Sequence, residues 1–469
     1  MTSPFDPLFS PSVRFILLKG QPGTGKTTLA IELLAMHGRG MYVSTRVSLD
    51  LLSRQNVRLR ELFQEGKVFE YYNKGDEKNA EFGFEDNRLG SAKEIMQSIL
   101  GLAASEKGNK NEEQLVVLDS WDAIAGIMDP IERKKSEHAL LAIADANNIR
   151  LVFVSETETI TDSDYMVDAI VQLEDAVLDN KRTRRIVWKK IRGQEIPERS
   201  SLYSLHNGAF TVFTSDSRIA LDYSPRDFPT IPHGERLYSC GSKDMDDLLF
   251  GGGLTHGSMI ALELDSNVST IWQLRIGLSF QLNFITNGGC SVLFPTSELS
   301  ASMAKKRIAM HLPEHDMKDS LRIVTGNTTE INDPCYVQLD RKSVEKSLEG
   351  LFDGVMTMKK GVSGRTNRPC FYYLSVDAIE SLFGVLSGGP NTSMFGSVVK
   401  QFGDVALLVV SSGSRMAKAT INSSDLHLKL IMVDGSPVIY AAKPPSPHFF
   451  HFGFDLEAGY PQVRLTPIV

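Results

Sequence analysis

Nine residues, GQPGTGKTT (20–28), constrain the fold of this 469-residue chain more than any other segment. They follow a short apolar run, RFILLK (14–19), and precede an amphipathic stretch with helical spacing, 28–36. A glycine loop between a strand and a helix turns its backbone N–H groups towards a phosphate, and the helix dipole adds positive potential there. The segment matches the Walker A pattern, so the sequence predicts a P-loop nucleotide site in an α/β domain.

The residue types in this loop have separate chemical tasks. Lys26 would reach the β- and γ-phosphates, and the hydroxyl of Thr27 would bind Mg²⁺. We therefore expect ATP and Mg²⁺ as ligands. The predicted nucleotide-binding residues are Gly20, Gln21, Pro22, Gly23, Thr24, Gly25, Lys26, Thr27 and Thr28.

A second segment, QLVVLDSWDAIAG (114–126), supplies the carboxylate that a Walker A loop requires. Its apolar run ends at Asp119, and ligands bind at the carboxyl ends of parallel strands. Asp119 would hold Mg²⁺ through a water molecule. Glu156 ends a later strand and is a candidate general base, so the predicted catalytic residues are Lys26, Asp119 and Glu156.

Strand patterns alternate with helical patterns through the first half, which predicts a mainly parallel sheet covered on both faces. Helical patterns lie near 48–64, 91–106 and 131–146. The expected strands, the last two forming an antiparallel hairpin around DAVLDNKRT (175–183), are 14–19, 40–45, 67–72, 115–118, 150–156, 169–174 and 184–191.

GQPGTGKTT, VVLDS and WKKIRG (188–193) together resemble a RecA-superfamily domain of the KaiC type, over residues 14 to 213. The resemblance implies a cytoplasmic ATP-binding protein that assembles as a homo-oligomeric ring, for which we expect a hexamer. It also implies that Lys190 and Arg192 reach the γ-phosphate bound by the neighbouring subunit.

One departure from this family concerns hydrolysis. The family carries adjacent glutamates after its second strand, where this chain has Arg46 and Val47. An arginine does not accept a proton from water at neutral pH. Nucleotide binding is therefore expected, with ATP hydrolysis slow or lacking.

The second half repeats the first in degenerate form. SCGSKDMDDLLFGGGLTHGS (239–258) resembles the lead-in of a KaiC-type domain, and residues 264–271 align with 20–27. The two loop glycines, the lysine and the threonine are replaced there by Leu264, Ser269, Thr270 and Ile271.

The other two motifs are altered as well. Through the shared Asp-Ala-Ile, YYLSVDAI places Leu374 at the position of Asp119, and YAAKPPS keeps only Lys443 of the Lys190 motif. Three losses in register predict a RecA-like fold without a nucleotide site. The predicted domains are therefore 1–215, an ATP-binding domain, and 236–469, a degenerate one, joined by a proline-containing linker, 216–235.

Composition narrows the class of protein. A net charge of −7 argues against a general nucleic-acid or anionic-membrane binder. No window approaches a membrane span, and the four widely spaced cysteines predict neither structural zinc nor a disulfide framework. These features predict a cytoplasmic protein.

The basic run KRTRRIVWKKIR (181–192) leaves alternatives open. It is either a solvated hairpin face carrying the two phosphate contacts, or a surface for DNA or an acidic regulatory protein. A RadA-type recombination ATPase that binds DNA would need a basic surface and a helical N-terminal domain. A metabolic kinase would have no place for a degenerate repeat. The layout also resembles, loosely, the gas-vesicle regulatory D proteins of archaea, which suggests a transcriptional regulator as a minor alternative.

Overall fold

The computed structural model describes residues 3–38, 40–44, 49–64, 68–72, 97, 113–126, 128–196, 198–214, 227–296, 298–325, 333–339, 344–360, 368–383, 392–455, 460 and 462–469. The chain divides into two compact units, Met1–Ser215 with Ile468–Val469 and Asp216–Pro467. Of the predicted linker, residues 216–226 lie outside the described residues.

The first unit is built on one mixed sheet with the order β3-β2-β4-β5-β1-β6-β7-β8-β9. The strands from β3 to β6 are parallel, and β6 to β9 continue the sheet as an antiparallel edge. The strands are β1 Phe15–Gly20, β2 Gly40–Ser44, β3 Val68–Tyr72, β4 Gln114–Asp119, β5 Ile149–Ser155, β6 Ala169–Leu178, β7 Lys181–Ile191, β8 Ser200–Ser204 and β9 Thr211–Phe213.

Helices cover both faces of this sheet because side chains alternate along its central strand. Leu18 packs with Leu29 and Leu33 of the helix after the loop, whereas Leu17 packs with Trp121 on the opposite face. The described helices are α1 Lys26–His37, α2 Leu49–Gln55, α3 Val57–Gln64, α4 Trp121–Ala125, α5 Pro130–Ala146 and α6 Asp162–Met166. Of the helical pattern at 91–106, only residue 97 is described.

The hairpin between β6 and β7 is tighter than expected. The sequence predicts a connection over 175–183, but the two strands continue through it and leave only Asp179 and Asn180 at the turn. Both have positive φ, 47° and 58°, as a two-residue hairpin turn requires. Arg182 pairs across the hairpin with Asp175 at 2.5 Å. An ion pair between neighbouring strands stabilises their association, which favours the longer hairpin.

The second unit has a sheet of ten strands in the order β15-β14-β13-β16-β17-β12-β18-β19-β20-β21. Its strands, with the small β10–β11 pair, are β10 Leu237–Tyr238, β11 Leu254–Thr255, β12 Met259–Leu264, β13 Cys290–Phe294, β14 Leu321–Thr325, β15 Tyr336–Gln338, β16 Cys370–Ser375, β17 Val405–Ser411, β18 Leu426–Val433, β19 Ser436–Lys443, β20 Phe450–Asp455 and β21 Gln462–Pro467. Its helices are α7 Lys243–Leu249, α8 Thr270–Thr286, α9 Ala301–Ala309, α10 Glu314–Ser320, α11 Val344–Lys360, α12 Val376–Phe383, α13 Thr392–Phe402 and α14 Ala417–Ser423.

The two sheets share one topology. In the first sheet, β1 lies between β5 and β6, and β6 begins the antiparallel edge. In the second sheet, β12 lies in the same way between β17 and β18. The predicted fold class is therefore confirmed: α/β, with two tandem RecA-like domains of mainly parallel sheets that end in antiparallel strands. Among the described helices, none combines the length and apolarity that crossing a membrane requires.

Candidate nucleotide-binding site

The glycine loop connects β1 directly to α1, as the motif requires. Gly20 ends the strand, and a Cβ there would lie 2.5 Å from the carbonyl oxygen of Leu173. Gly25 caps the helix in the left-handed conformation, φ 91°, and a Cβ there would lie 2.7 Å from a methyl of Leu205. Both positions exclude a side chain, so the loop backbone curls tightly over the N-terminus of α1.

Lys26 begins α1 and points back at the loop. Its buried ammonium donates to the carbonyl oxygens of Gly20 at 2.7 Å and Gln21 at 2.8 Å. A phosphate oxygen carries a full charge and attracts an ammonium more strongly than a neutral carbonyl does. Lys26 is therefore placed so that its ammonium can donate to a phosphate oxygen of a bound nucleotide in place of these carbonyl oxygens.

The two predicted magnesium residues are in direct contact. The hydroxyl of Thr27 donates to Oδ2 of Asp119 at 2.7 Å, which links the loop to the end of β4. The hydroxyl of Tyr42, on β2, donates to the same oxygen at 2.5 Å. Burial, and then the Asp119 charge, raise the pKa of Tyr42 well above its ordinary value, so this phenol stays protonated. Sequence reasoning missed Tyr42.

The outer side of the loop rests on the antiparallel edge of the same unit. Buried Arg184, on β7, donates to the carbonyl of Gly23 at 3.1 Å. The hydroxyl of Tyr203, on β8, donates to the carbonyl of Thr24 at 2.6 Å, and burial raises its pKa to about 12. These bonds hold the carbonyls of Gly23 and Thr24 on the outer side of the loop, away from Lys26. Arg184 belongs to the basic run 181–192, but no sequence motif marks it or Tyr203 as a contact of the loop.

Lys190 and Arg192 lie away from the loop of their own chain. Lys190 is paired with Ile170 on β6, and Ile170 is paired with Leu17 on β1. Lys190 therefore lies at the level of Leu17, whereas the loop follows the end of β1 at Gly20. Arg192 is 62% exposed and pairs with buried Asp168 at 2.9 Å. This placement does not serve the nucleotide site of the same chain.

The second unit explains what Lys190 does within its own domain. Its ammonium donates to the carbonyl of Val167 at 2.7 Å, and Lys443 donates to the equivalent carbonyl of Ser424 at 2.6 Å. Lys443 thus makes the same contact in a unit whose loop has lost its glycines and lysine. The contact of Lys190 therefore has a structural role that needs no phosphate.

The basic run is partly neutralised within the unit. Arg182, Arg185 and Lys189 pair with Asp175 or Glu174 across the hairpin. Arg192 pairs with Asp168, but the partners of Arg184 and Lys190 described above are neutral carbonyl oxygens, so the run keeps positive charge that these carboxylates do not balance. Both interpretations of this run stay predictions.

The candidate general base is at the correct edge of the sheet. Glu156 follows β5, and its backbone N–H donates to Asp122 at 2.6 Å. Two residues later, the carboxylate of Glu158 accepts from Nε2 of Gln21 in the loop at 3.3 Å. Arg46 and Val47, which replace the family's glutamates, lie outside the described residues.

The sheet register corrects one part of the repeat alignment. Asp119 lies at the level of Val154 and Leu18 in the first unit. In the second unit the residue at the level of Val409 and Leu262 is Ser375, whereas the sequence alignment chose Leu374. Asp122 follows Asp119 by three positions, whereas Asp377 follows Ser375 by two. An alignment on Asp-Ala-Ile is therefore displaced by one residue at the end of the strand. A serine, and no carboxylate, stands at the metal position.

Residues 9–190 match the family model of the P-loop domain of the GvpD gas vesicle protein. This indicates a P-loop ATPase-like family. Two proteins of Halobacterium salinarum (strain ATCC 700922 / JCM 11081 / NRC-1), Protein GvpD2 and Protein GvpD1, are each 23% identical to the chain. Each alignment spans 97% of this chain, with 93% of GvpD2 and 94% of GvpD1.

These similarities include both halves of the chain, since they extend over 97% of it. The family model covers both the Walker A loop and Asp119. A P-loop domain implies nucleotide binding, commonly with Mg²⁺. The finer assignment to the KaiC or RadA type stays a prediction.

Proposed function

We propose that the chain is an Mg·ATP-binding regulatory protein of the gas-vesicle D type, with one nucleotide site per chain, in the first unit. The observation that carries this proposal is the 2.7 Å contact between Thr27 and Asp119 beside a complete Walker A loop. The similarity to two gas vesicle D proteins over 97% of the chain supports the biological role. The minor alternative from the sequence thus becomes the favoured one.

The residues fit a nucleoside triphosphate with Mg²⁺. The first turn of α1 leaves backbone N–H groups without helical partners, and Lys26 adds a positive charge beside them. Thr27 would bind the metal directly, and Asp119 would orient a water on it. When bound, Mg²⁺ would offset phosphate charge. The role of the protein is to hold donors and oxygen ligands in place.

Slow hydrolysis follows from the replacement of the family's adjacent glutamates by Arg46 and Val47 in the sequence. A general base must accept a proton from the attacking water, which an arginine at position 46 does not do. The carboxylate of Glu158 is engaged with Gln21 on the exposed side of the loop. We infer that occupancy by nucleotide, rather than turnover, carries the signal.

Nucleotide occupancy would act by changing assembly or partner binding. The exposed guanidinium of Arg192 is suited to a γ-phosphate on a neighbouring copy of the chain, because arginine binds phosphate bidentately. ATP offers that phosphate and ADP does not, so ATP would favour the assembled state. Since Lys190 has a structural contact, the trans contact in this proposal depends chiefly on Arg192.

Two experiments test the proposal. Isothermal titration of the full chain with ADP and Mg²⁺ should give one site, lost in Lys26→Ala and kept in the surface control Lys135→Ala. Two sites per chain, or equal binding by Lys26→Ala, would refute it. In a gas-vesicle-forming archaeal host, expression of the chain should alter vesicle content and Lys26→Ala should not. An equal effect of both would refute a nucleotide-controlled role.

A further inference from the structure

Tyr42 occupies a fixed position in the sheet beneath the magnesium residues. It lies opposite Val117 on β4, two residues before the point where Ser44 meets Asp119. Its side chain is fully buried in the core on the α1 face, and only its hydroxyl meets a polar group. The ring therefore has no freedom to leave without opening this core.

Two hydroxyls converge on one oxygen of Asp119. Thr27 and Tyr42 both donate to Oδ2, at 2.7 Å and 2.5 Å. Two donors on one oxygen set the rotation of the carboxylate about its Cβ–Cγ bond. The orientation of Asp119 is thus determined by the protein itself.

The two donors differ in how firmly they are held. Thr27 belongs to the loop that must accommodate phosphates, and its oxygen would also bind the metal. Tyr42 sits in the interior of a parallel strand paired on both sides. The phenol can therefore hold Asp119 while the threonine changes partners.

We propose that Tyr42 is a positioning residue for Mg²⁺, whose hydroxyl orients Asp119 so that the metal strengthens nucleotide binding. This inference rests on the proposed nucleotide-binding function and adds a residue that sequence motifs do not mark. It predicts that removal of the hydroxyl reduces only the gain in ADP affinity that Mg²⁺ provides. A merely structural tyrosine would affect binding with and without metal alike.

The test measures ADP affinity of the full chain with excess Mg²⁺ and with EDTA, by isothermal titration, for the natural protein and Tyr42→Phe. Tyr42→Phe removes a hydrogen bond to a charged group, so it should reduce the strengthening by Mg²⁺ about 10-fold, which corresponds to ~1.4 kcal/mol. Its affinity in EDTA should stay within ~2-fold of the natural protein.

Tyr203→Phe is the matched control. It removes one buried hydroxyl that also touches the loop, through Thr24, but does not touch Asp119. It should change both affinities by the same factor. Equal strengthening by Mg²⁺ in the natural protein and Tyr42→Phe, or equal losses with and without metal, would overturn the inference.

Two further outcomes separate the possible failures. If the natural protein binds no ADP in either condition, the proposed function fails and this inference with it. If Tyr42→Phe does not fold, Asp119→Asn provides the second measurement, because it changes the acceptor and keeps Tyr42. It should lose the strengthening by Mg²⁺ and keep ADP binding in EDTA. Retained strengthening would overturn the inference.

Discussion

Binding of one nucleotide should increase the free energy of unfolding of the first unit by an amount that depends on the ligand concentration relative to its Kd. A ligand at ~100 times its Kd lowers the free energy of the folded state by ~2.7 kcal/mol. A domain of roughly 150–250 residues shifts its melting midpoint by about 2–4 °C for each kcal/mol. We therefore expect Mg·ADP to raise the midpoint of the first unit by about 5–11 °C.

Lys26→Ala should remove most of this shift. The ammonium of Lys26 contacts the loop carbonyls of Gly20 at 2.7 Å and Gln21 at 2.8 Å, whereas Arg184 contacts the loop at Gly23 from the outer side. Its loss also removes these two bonds from the ligand-free protein. The shift must therefore be compared with each variant's own ligand-free midpoint.

Differential scanning calorimetry of the full chain, with and without Mg·ADP, provides the measurement. Hydrogen exchange of peptides covering 20–28 and 264–271 then locates the protection, which should appear only in the first. Protection of 264–271 to the same degree would refute the interpretation of the second loop as degenerate. An undiminished shift in Lys26→Ala would refute the assignment of the site.

Three further predictions concern turnover, assembly and pH. ATP turnover should lie well below the ~10 s⁻¹ median for enzymes, and a Lys26-dependent rate at that median in a phosphate-release assay would show that another base exists. Arg192→Ala should weaken ATP-dependent assembly in analytical ultracentrifugation and leave each chain folded; identical mass distributions with ADP and ATP would contradict the switch. Burial lowers the pKa of His451 to about 4, so the unfolded chain, with a histidine pKa of about 6.5, binds more protons between these values. Stability should therefore fall as the pH drops from about 6.5 to 4, and urea unfolding of His451→Phe should show a smaller fall.

The local motifs could be predicted because their chemistry is contained in short segments. The strand before Gly20, the helix after Lys26 and the apolar run ending at Asp119 all appear where the spacing placed them. The shared strand order of the two units follows from the repeat in the sequence. Each of these signals lies within a few consecutive residues or in a repeated pattern.

The tertiary structure alone decided which distant side chains support the site. Tyr42 reaches Asp119, and Arg184 reaches Gly23, through sheet register and strand order that no local pattern encodes. The strand register also places Ser375, and not Leu374, at the position that corresponds to Asp119. The connection from this position to the next helix is one residue shorter in the second unit, which an alignment on that helix does not detect. Hydrogen bonds depend on positions in space to within tenths of an ångström, whereas spacing along the chain specifies only which strand face a residue occupies.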